Sequence, residues 1–536
     1  MSHTKALFVL MTLCWSLSPS LSTEPQYECP APCKCVQEKR QGLGQVYTVR
    51  CSDLDLTQVP DLSSLEAVPL PKYVNLASND ILSVSNADFR PDLNIASLDL
   101  SQNKEVQIDA DAFLSMATTL RQLLLEDVGL TFQKPLEMLE QLENLELLSL
   151  SNNNRKGYVP GAQDHVTARL LTGRVGRKLK QLRMAHCGIR SLASASLDSL
   201  TELEVIDLSN NWFTKVPDAV KRLRSLTDFH LSHCNIKELQ DLELNNLKHV
   251  KNLDLSSNSI ETIMIDAFRG TENSLKTLNL ERCGLEEIPS LAIRNLEKLE
   301  RLDLSQNSFK SAPANSFTGK YCLKTLLIGS VGLKFEARTF SGQKDCIEEL
   351  TIKHMGLTAV PLNALKSLNQ LANIVLDHNA ISTLPKNAFS GIKAHIISLA
   401  NNPLSHIEEG AFSGLPPNLN LNLRRTEISQ IDFLTGYPED AIKTVNLDYA
   451  NIECRCSMQD SLNVTFVVEV YGTCRKGPRV VSLSSSRLPG MLEEACEEER
   501  AANWAWRAGG QGHFVCLSVI VTCLWALFPP WSLDVD

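Results

Sequence analysis

Hydrophobic and polar positions along the chain recur in a fixed pattern, L-x-L-x-x-N. It is plainest in LDLSQN at Leu98–Asn103, IDLSNN at Ile206–Asn211, LDLSSN at Leu253–Asn258 and LDLSQN at Leu302–Asn307. Looser matches extend it to sixteen units. Their last positions are Asn79, Asn103, Val128, Asn153, Cys187, Asn211, Cys234, Asn258, Cys283, Asn307, Val331, Met355, Asn379, Asn402, Thr426 and Ala450. Successive last positions lie 23 to 25 residues apart, with one gap of 34. An apolar residue usually follows two positions later, as at Ile189, Phe213, Ile236 and Ile260. A phenylalanine recurs farther on, at Phe268, Phe317, Phe389 and Phe412.

Leucine alternation turns two side chains of each motif to one side of a short strand and the residue between them to the other. No single coil can bury its leucines alone. Stacked coils can, and they form one continuous core with a parallel sheet along one face. The asparagine turns inward at the strand end, where its amide satisfies backbone groups that the bend exposes. Eight of the sixteen units lack it, and three of those carry cysteine, a small residue that packs well when buried. These motifs resemble the 24-residue leucine-rich-repeat family of animal extracellular proteins, which includes Toll ectodomains, Slit, the Nogo receptor, chaoptin and connectin. The resemblance runs from about Cys29 to Cys496. It implies an α/β-type solenoid: a curved horseshoe of about 16 repeats with a parallel β-sheet on its concave face and a disulfide cap at each end.

The 16 cysteines sort by place. Cys29, Cys33, Cys35 and Cys51 precede the first repeat, and Cys454, Cys456, Cys474 and Cys496 follow the last. A solenoid needs its two open ends closed. Spacing alone allows three pairings in each cluster, and a zinc site is the rival reading of Cys33-Lys34-Cys35 and Cys454-Arg455-Cys456. The family resemblance implies Cys29–Cys35 with Cys33–Cys51, and Cys454–Cys474 with Cys456–Cys496. Cys322 and Cys346 stand nine residues before the last positions of adjacent units, which places their α-carbons within disulfide range. Cys187, Cys234 and Cys283 sit in alternate units, too far apart to bridge one another, and are expected to be buried and structural.

The ends read as targeting segments. Lys5, the apolar run Ala6–Trp15 and Ser20-Leu21-Ser22 fit a secretory signal over residues 1–22. The N-terminal cap then covers 23–52, the repeats 53–451 and the C-terminal cap 452–496. A polar linker at 497–513 precedes an apolar run at Phe514–Leu533. That run has no basic flank and contains Pro529-Pro530, the pattern of a GPI-anchor signal, with Asn503 or Ala508 as the attachment residue. A short single-pass anchor and plain secretion are the alternatives. The expected location is the extracellular face of the plasma membrane.

Composition narrows the function. A formal charge of −10 argues against nucleic acid as a partner. No catalytic or metal-binding motif has usable spacing, and no cofactor is implied. The outward residues of the sheet form the natural binding face. They include Asp99, Glu126, Asp207, Asp254, Glu281, Asp303 and Asp377, interrupted by Arg183, Arg301, Lys353 and Arg424. The competing reading makes those aspartates ordinary repeat consensus. The long gap between units holds Arg155, Lys156, Arg169, Arg174, Arg177, Lys178 and Lys180 against one acid, Asp164. Such a basic loop is a candidate contact for heparan sulfate or an acidic partner, against the plainer reading of a solvated loop. Asn463 is the one glycosylation sequon noted. His186, His233, His354 and His378 all stand one residue before a last position, which reads as an exposed, tolerant site. The leading expectation is a cell-surface protein mediating adhesion or ligand recognition by binding an extracellular or cell-surface protein. An innate-immune recognition protein and a matrix component are the alternatives.

Overall fold

The computed structural model describes residues 27–154, 165–166, 170–171, 175–438, 440–463 and 469–509. The chain divides into two compact units. One reaches to Ile236 and takes in Glu243–Val250; the other comprises Lys237–Leu242 and the chain from Lys251 on.

In the first unit the alternating leucines form short parallel strands stacked in chain order. They are Gly44–Arg50, Lys72–Asn75, Ile95–Asp99, Gln122–Leu124, Leu147–Ser149, Gln181–Arg183, Val205–Asp207 and Asp228–His230. Lys34–Arg40 runs antiparallel to the first of these and closes the end. The 34-residue gap leaves the sheet undisturbed, since Leu148 pairs directly with Leu182.

The second unit repeats the arrangement with ten parallel strands among its described residues. They start at Asn252–Asp254 and Thr277–Asn279 and continue to Ile442–Asn446. The last, Glu469–Tyr471, belongs to the C-terminal cap, so the sheet continues past the sixteenth repeat. In both units the inward residues, such as Leu182, Ile206, Leu278 and Leu302, are fully buried. The backs of the coils are mostly 3-10 turns and two-residue parallel bridges, and helices within the repeats are as short as Ser290–Ile293 and Leu362–Leu365. Phenylalanines stack from coil to coil along this back, with Phe317–Phe340 and Phe389–Phe412 centroids both 5.6 Å apart.

The asparagines join coil to coil. Asn307 donates from Nδ2 to the Leu304 carbonyl of its own coil (3.0 Å) and to the Leu280 carbonyl of the preceding coil (2.8 Å). Its Oδ1 accepts from the Cys283 and Leu285 backbone N–H groups at 3.0 and 3.1 Å. Asn211 does the same for Leu208, Met184, Cys187 and Ile189. Thus one asparagine satisfies the bend of two coils. Cys283 adds its own thiol, which donates to the Leu255 carbonyl at 3.2 Å. The residue before the asparagine is left-handed in coil after coil, as at Gln102 (φ 61°), Asn210 (φ 58°) and Gln306 (φ 56°).

One repeat departs from the expected register. Val331 is 85% exposed, and Ser330 takes the buried place, donating its hydroxyl to the Phe309 carbonyl at 3.0 Å. In this coil neither Ser330 nor Val331 is left-handed, and Gly332 holds the positive φ of 80°.

Both caps are closed by disulfides. Cys29 joins Cys35 and Cys33 joins Cys51; Cys454 joins Cys474 and Cys456 joins Cys496, the pairings implied by the family resemblance. The zinc reading of both clusters is thereby excluded, because these sulfurs are bonded to each other. Cys322 and Cys346 are also joined, with α-carbons 5.2 Å apart. The C-terminal cap ends in a helix, Leu488–Gly509, that buries Leu488, Leu492, Ala495 and Cys496 along one face. This helix runs on through most of the stretch read as linker. Among the described residues no helix is long and apolar enough to cross a membrane; Phe514–Leu533 and residues 1–26 lie outside them.

Asn307→Ala strands two buried N–H groups and two carbonyls. It is expected to lower stability by about 2–3 kcal/mol, whereas Val331→Ser should change it by less than about 0.5 kcal/mol. Chemical denaturation of the two variants beside the wild type tests this; equal midpoints for all three would contradict it.

Candidate functional site

Each strand turns alternate side chains outward, and parallel register lines them up as columns. Within the first unit one column runs Asn75, Asp99, Leu124, Ser149, Arg183, Asp207 and His230. Within the second it runs from Asp254 through Asn279, Asp303, Leu327, Thr351, Val375, Ser398, Asn422 and Asn446 to Tyr471.

The acids expected to form one column therefore divide. Asp99, Asp207, Asp254 and Asp303 occupy the register above. Glu126, Glu281 and Asp377 stand two residues farther along their coils, beyond the strands. The discrepancy arises because those three coils carry Leu124, Asn279 and Val375 between the paired apolar residues. The interrupting bases divide likewise: Arg183 is in the first register, Arg301 two residues before it, and Lys353 and Arg424 two after.

The aspartates of the first register have a local task. Asp207 and Asp254 each accept the backbone N–H two residues on, at 2.9 and 3.0 Å, and Asp99 does so at 3.0 Å. Asp303 accepts both the N–H and the hydroxyl of Ser305. Asn75, Asn279 and Asn446 make the same bond in their own coils. A short side-chain acceptor at this place ends the strand, which is reason enough for Asp or Asn there. Glu126 and Asp377 are also engaged: each accepts the hydroxyl of a serine on the next coil, Ser149 and Ser398. Lys353 lies 3.7 Å from Asp377.

A different set is exposed at the C-terminal end of the sheet. Ile396 points outward from its strand and is 41% exposed. Tyr449 is 68% exposed and left-handed (φ 61°), at the place before a last position. The guanidinium groups of Arg424 and Arg425 lie over its ring, 4.9 and 5.3 Å from the centroid. Tyr471, on the cap strand, is 49% exposed and donates its hydroxyl to Glu469 at 2.7 Å. Sequence reasoning named Arg424 only as an interruption and missed the others. For Tyr449, a tyrosine at a place otherwise held by Gln, Asn, Asp, His, Ser or Arg was the available signal.

Of the basic insertion, Arg155, Lys156, Arg169 and Arg174 lie outside the described residues. Arg177, Lys178 and Lys180 are exposed, and Lys178 donates to Asn144 Oδ1 at 2.7 Å. Asn463 ends the helix Ser457–Asn463, and Asn503 is exposed on the long cap helix, which also contains Ala508. Cys187, Cys234 and Cys283 are buried thiols. Burial pushes Cys234 up to about 11 and Cys283 up to about 12, which suppresses thiolate reactivity. Among the described residues no cluster of His, Cys, Asp and Glu is arranged to hold a metal ion.

Comparison with known proteins follows the same repeat. A leucine-rich-repeat family profile matches residues 177–236 and 273–330, and a BspA-type leucine-rich-repeat region of six copies matches 333–457. The fold is a leucine-rich-repeat solenoid. The chain resembles chaoptin of Drosophila melanogaster, 26% identical over an alignment of 160 residues that covers 26% of this chain and 11% of chaoptin. Among solved structures, the Leptospira interrogans leucine-rich-repeat protein LIC12759 superposes with a TM-score of 0.54 at 22% identity, covering 73% of this chain and 95% of that one. A TLR13-ssRNA13 complex reaches a TM-score of 0.43 at 20% identity, covering 78% and 71%. The bacterial likeness shows the leucine-rich-repeat fold alone.

Within this leucine-rich-repeat scaffold the last two named histidines meet. His354 and His378 stack with ring centroids 4.7 Å apart. Burial, then the neighbouring His378 and Lys353, hold His354 below its ordinary 6.5. The unfolded chain therefore takes up this proton first as pH falls. The associated stability is fully present above about 6.5 and is lost as pH drops toward the folded value. His354→Gln, with a residue that Gln102 and Gln306 show is accepted at this place, should flatten the fall in Tm between about pH 7 and 5. Parallel Tm–pH slopes for variant and wild type would refute the link.

Proposed function

We propose that this chain is a cell-surface recognition or adhesion protein that binds another extracellular protein through the sheet face of its second unit. The carrying observation is the exposed group Ile396, Arg424, Tyr449 and Tyr471 on four successive strands and their bends. Tyrosine on a rigid scaffold loses little freedom on binding, Arg424 is already stacked on Tyr449, and both residue types are enriched among the side chains that dominate binding energy at protein interfaces. The engaged aspartates act as framework around them. The five disulfides support an extracellular setting. The likeness to chaoptin, limited to 11% of that protein's length, supports the same class of role.

Two finer statements complete the reading. The chain is held at the membrane by a lipid that replaces Phe514–Leu533. The basic residues Arg177, Lys178 and Lys180 add salt-sensitive contacts to an acidic protein surface or heparan sulfate.

Soluble chain lacking residues 514–536 should bind cells that carry the partner, read by flow cytometry. The triple variant Ile396→Ala, Tyr449→Ala, Tyr471→Ala should lose at least about tenfold in apparent affinity with an unchanged melting curve. Undiminished binding by that variant would reject the assigned face. Separately, a phosphatidylinositol-specific phospholipase should release the full chain from expressing cells. Recovery of a cell-bound C-terminal peptide containing Trp531 would reject the lipid.

A further inference from the structure

The back of the second unit carries an anomaly that the sheet face does not explain. Where the chain leaves each coil's small bridge and turns, three repeats place Asn315, Asn387 and Gly410, with φ of 63°, 62° and 78°. These are residues that tolerate the left-handed region. Each stands eight residues after its repeat's last position. Leu242 stands at the same interval after Cys234 and holds φ 64°, a conformation that leucine adopts at a cost. Its side chain gains no burial in return, being 42% exposed.

Apolar exposure continues across the next two coils. The bridge Glu238–Leu239 pairs with Thr262–Ile263, and Leu242 N–H donates to the Asp266 carbonyl at 3.2 Å. Leu242 therefore lies beside Met264 and Ile265, exposed by 39% and 46%. One coil farther on, Leu291 is 60% exposed and shares with Thr262 and Ile263 the wall of an open hollow of about 710 Å³. A strained leucine and three more exposed apolar side chains on adjoining coils form a patch of the kind that marks an interaction site.

The rim of the patch is acidic. Glu261, Glu286 and Glu287 line the hollow. Lys310 answers Glu286 at 2.6 Å and also attracts Glu287, while Glu261 has no ion-pair partner among the described residues. We propose that this patch is a second docking surface, for a protein segment that presents apolar side chains flanked by lysine or arginine. The apolar centre supplies the adhesion, and the glutamates select the sign of charge beside it. This surface lies on the back of the coils and is independent of the sheet face.

The test uses the full soluble chain and two synthetic helical peptides of about 18 residues, long enough to fold as helices. One is built from leucine and lysine, the other from leucine and glutamate, and binding is followed by fluorescence anisotropy. The lysine peptide should bind at least about tenfold more tightly than the glutamate peptide, with affinity falling as salt rises. Leu242→Asn combined with Leu291→Asn should abolish that preference. Leu242→Asn alone should hold or raise the Tm, since asparagine accepts the left-handed turn. Ile265→Lys offers a second variant that leaves the strained turn intact and should also weaken the lysine peptide. Equal binding of both peptides, or a preference unaffected by all these variants, would overturn the proposal. So would sedimentation showing a wild-type dimer that Leu291→Asn dissociates, which would make the occupant a second copy of this chain.

Discussion

Every coil must bend at the end of its strand while its neighbours press leucines against it, and the bend leaves backbone N–H and carbonyl groups facing an apolar core. Leaving such groups unpaired costs roughly 1–3 kcal/mol each. One asparagine side chain, with two donors and one acceptor oxygen, answers four of them. Because its amide bonds both its own coil and the preceding one, a coil can lack asparagine if the next has it. Val128, Cys187, Cys283 and Met355 are each followed by such a coil: their N–H groups donate to Asn153, Asn211, Asn307 and Asn379. Bond geometry thus permits the alternation of asparagine with other residues through the middle of the chain. The thiols of Cys187 and Cys283 donate weakly to carbonyls, and burial keeps Cys234 and Cys283 protonated.

The same economy governs the outward side of the strands. A strand of three residues must stop, and Asp or Asn at the outward place stops it by accepting the N–H two residues on. Positions consumed in this way are poor candidates for contacting a partner, however charged they look. Positions free of it vary in chemistry, and at the C-terminal end of the sheet they present an aliphatic, an arginine and two tyrosines. The cap contributes directly here, since its strand Glu469–Tyr471 extends the sheet and carries one of the tyrosines. Closure of the core and construction of the proposed binding face share the same segment.

The sequence by itself determined the repeat, its inward leucines and the Cys322–Cys346 bridge, because each follows from a period that repeats in register; the pairings within the two caps were implied by the family resemblance. A 34-residue gap did not obscure the next strand, since the apolar alternation resumes at Leu182-Arg183-Met184. What the period could not reveal were departures within a coil. Val331 aligns by count with buried residues, yet it is exposed and Ser330 is buried instead, in a coil whose left-handed residue is Gly332. Glu126, Glu281 and Asp377 read as one column with the other acids, but the column is fixed by strand pairing, which places Leu124, Asn279 and Val375 there. Only the tertiary structure decided which charges are spent on neighbours and which aromatic rings stay exposed. Those outcomes depend on contacts 20 or more residues away in sequence, such as Ser398 on Asp377 and Arg424 over Tyr449. Leucine at a left-handed turn is likewise unremarked in sequence, because conformation, and with it the cost, is set by the coil on which it sits.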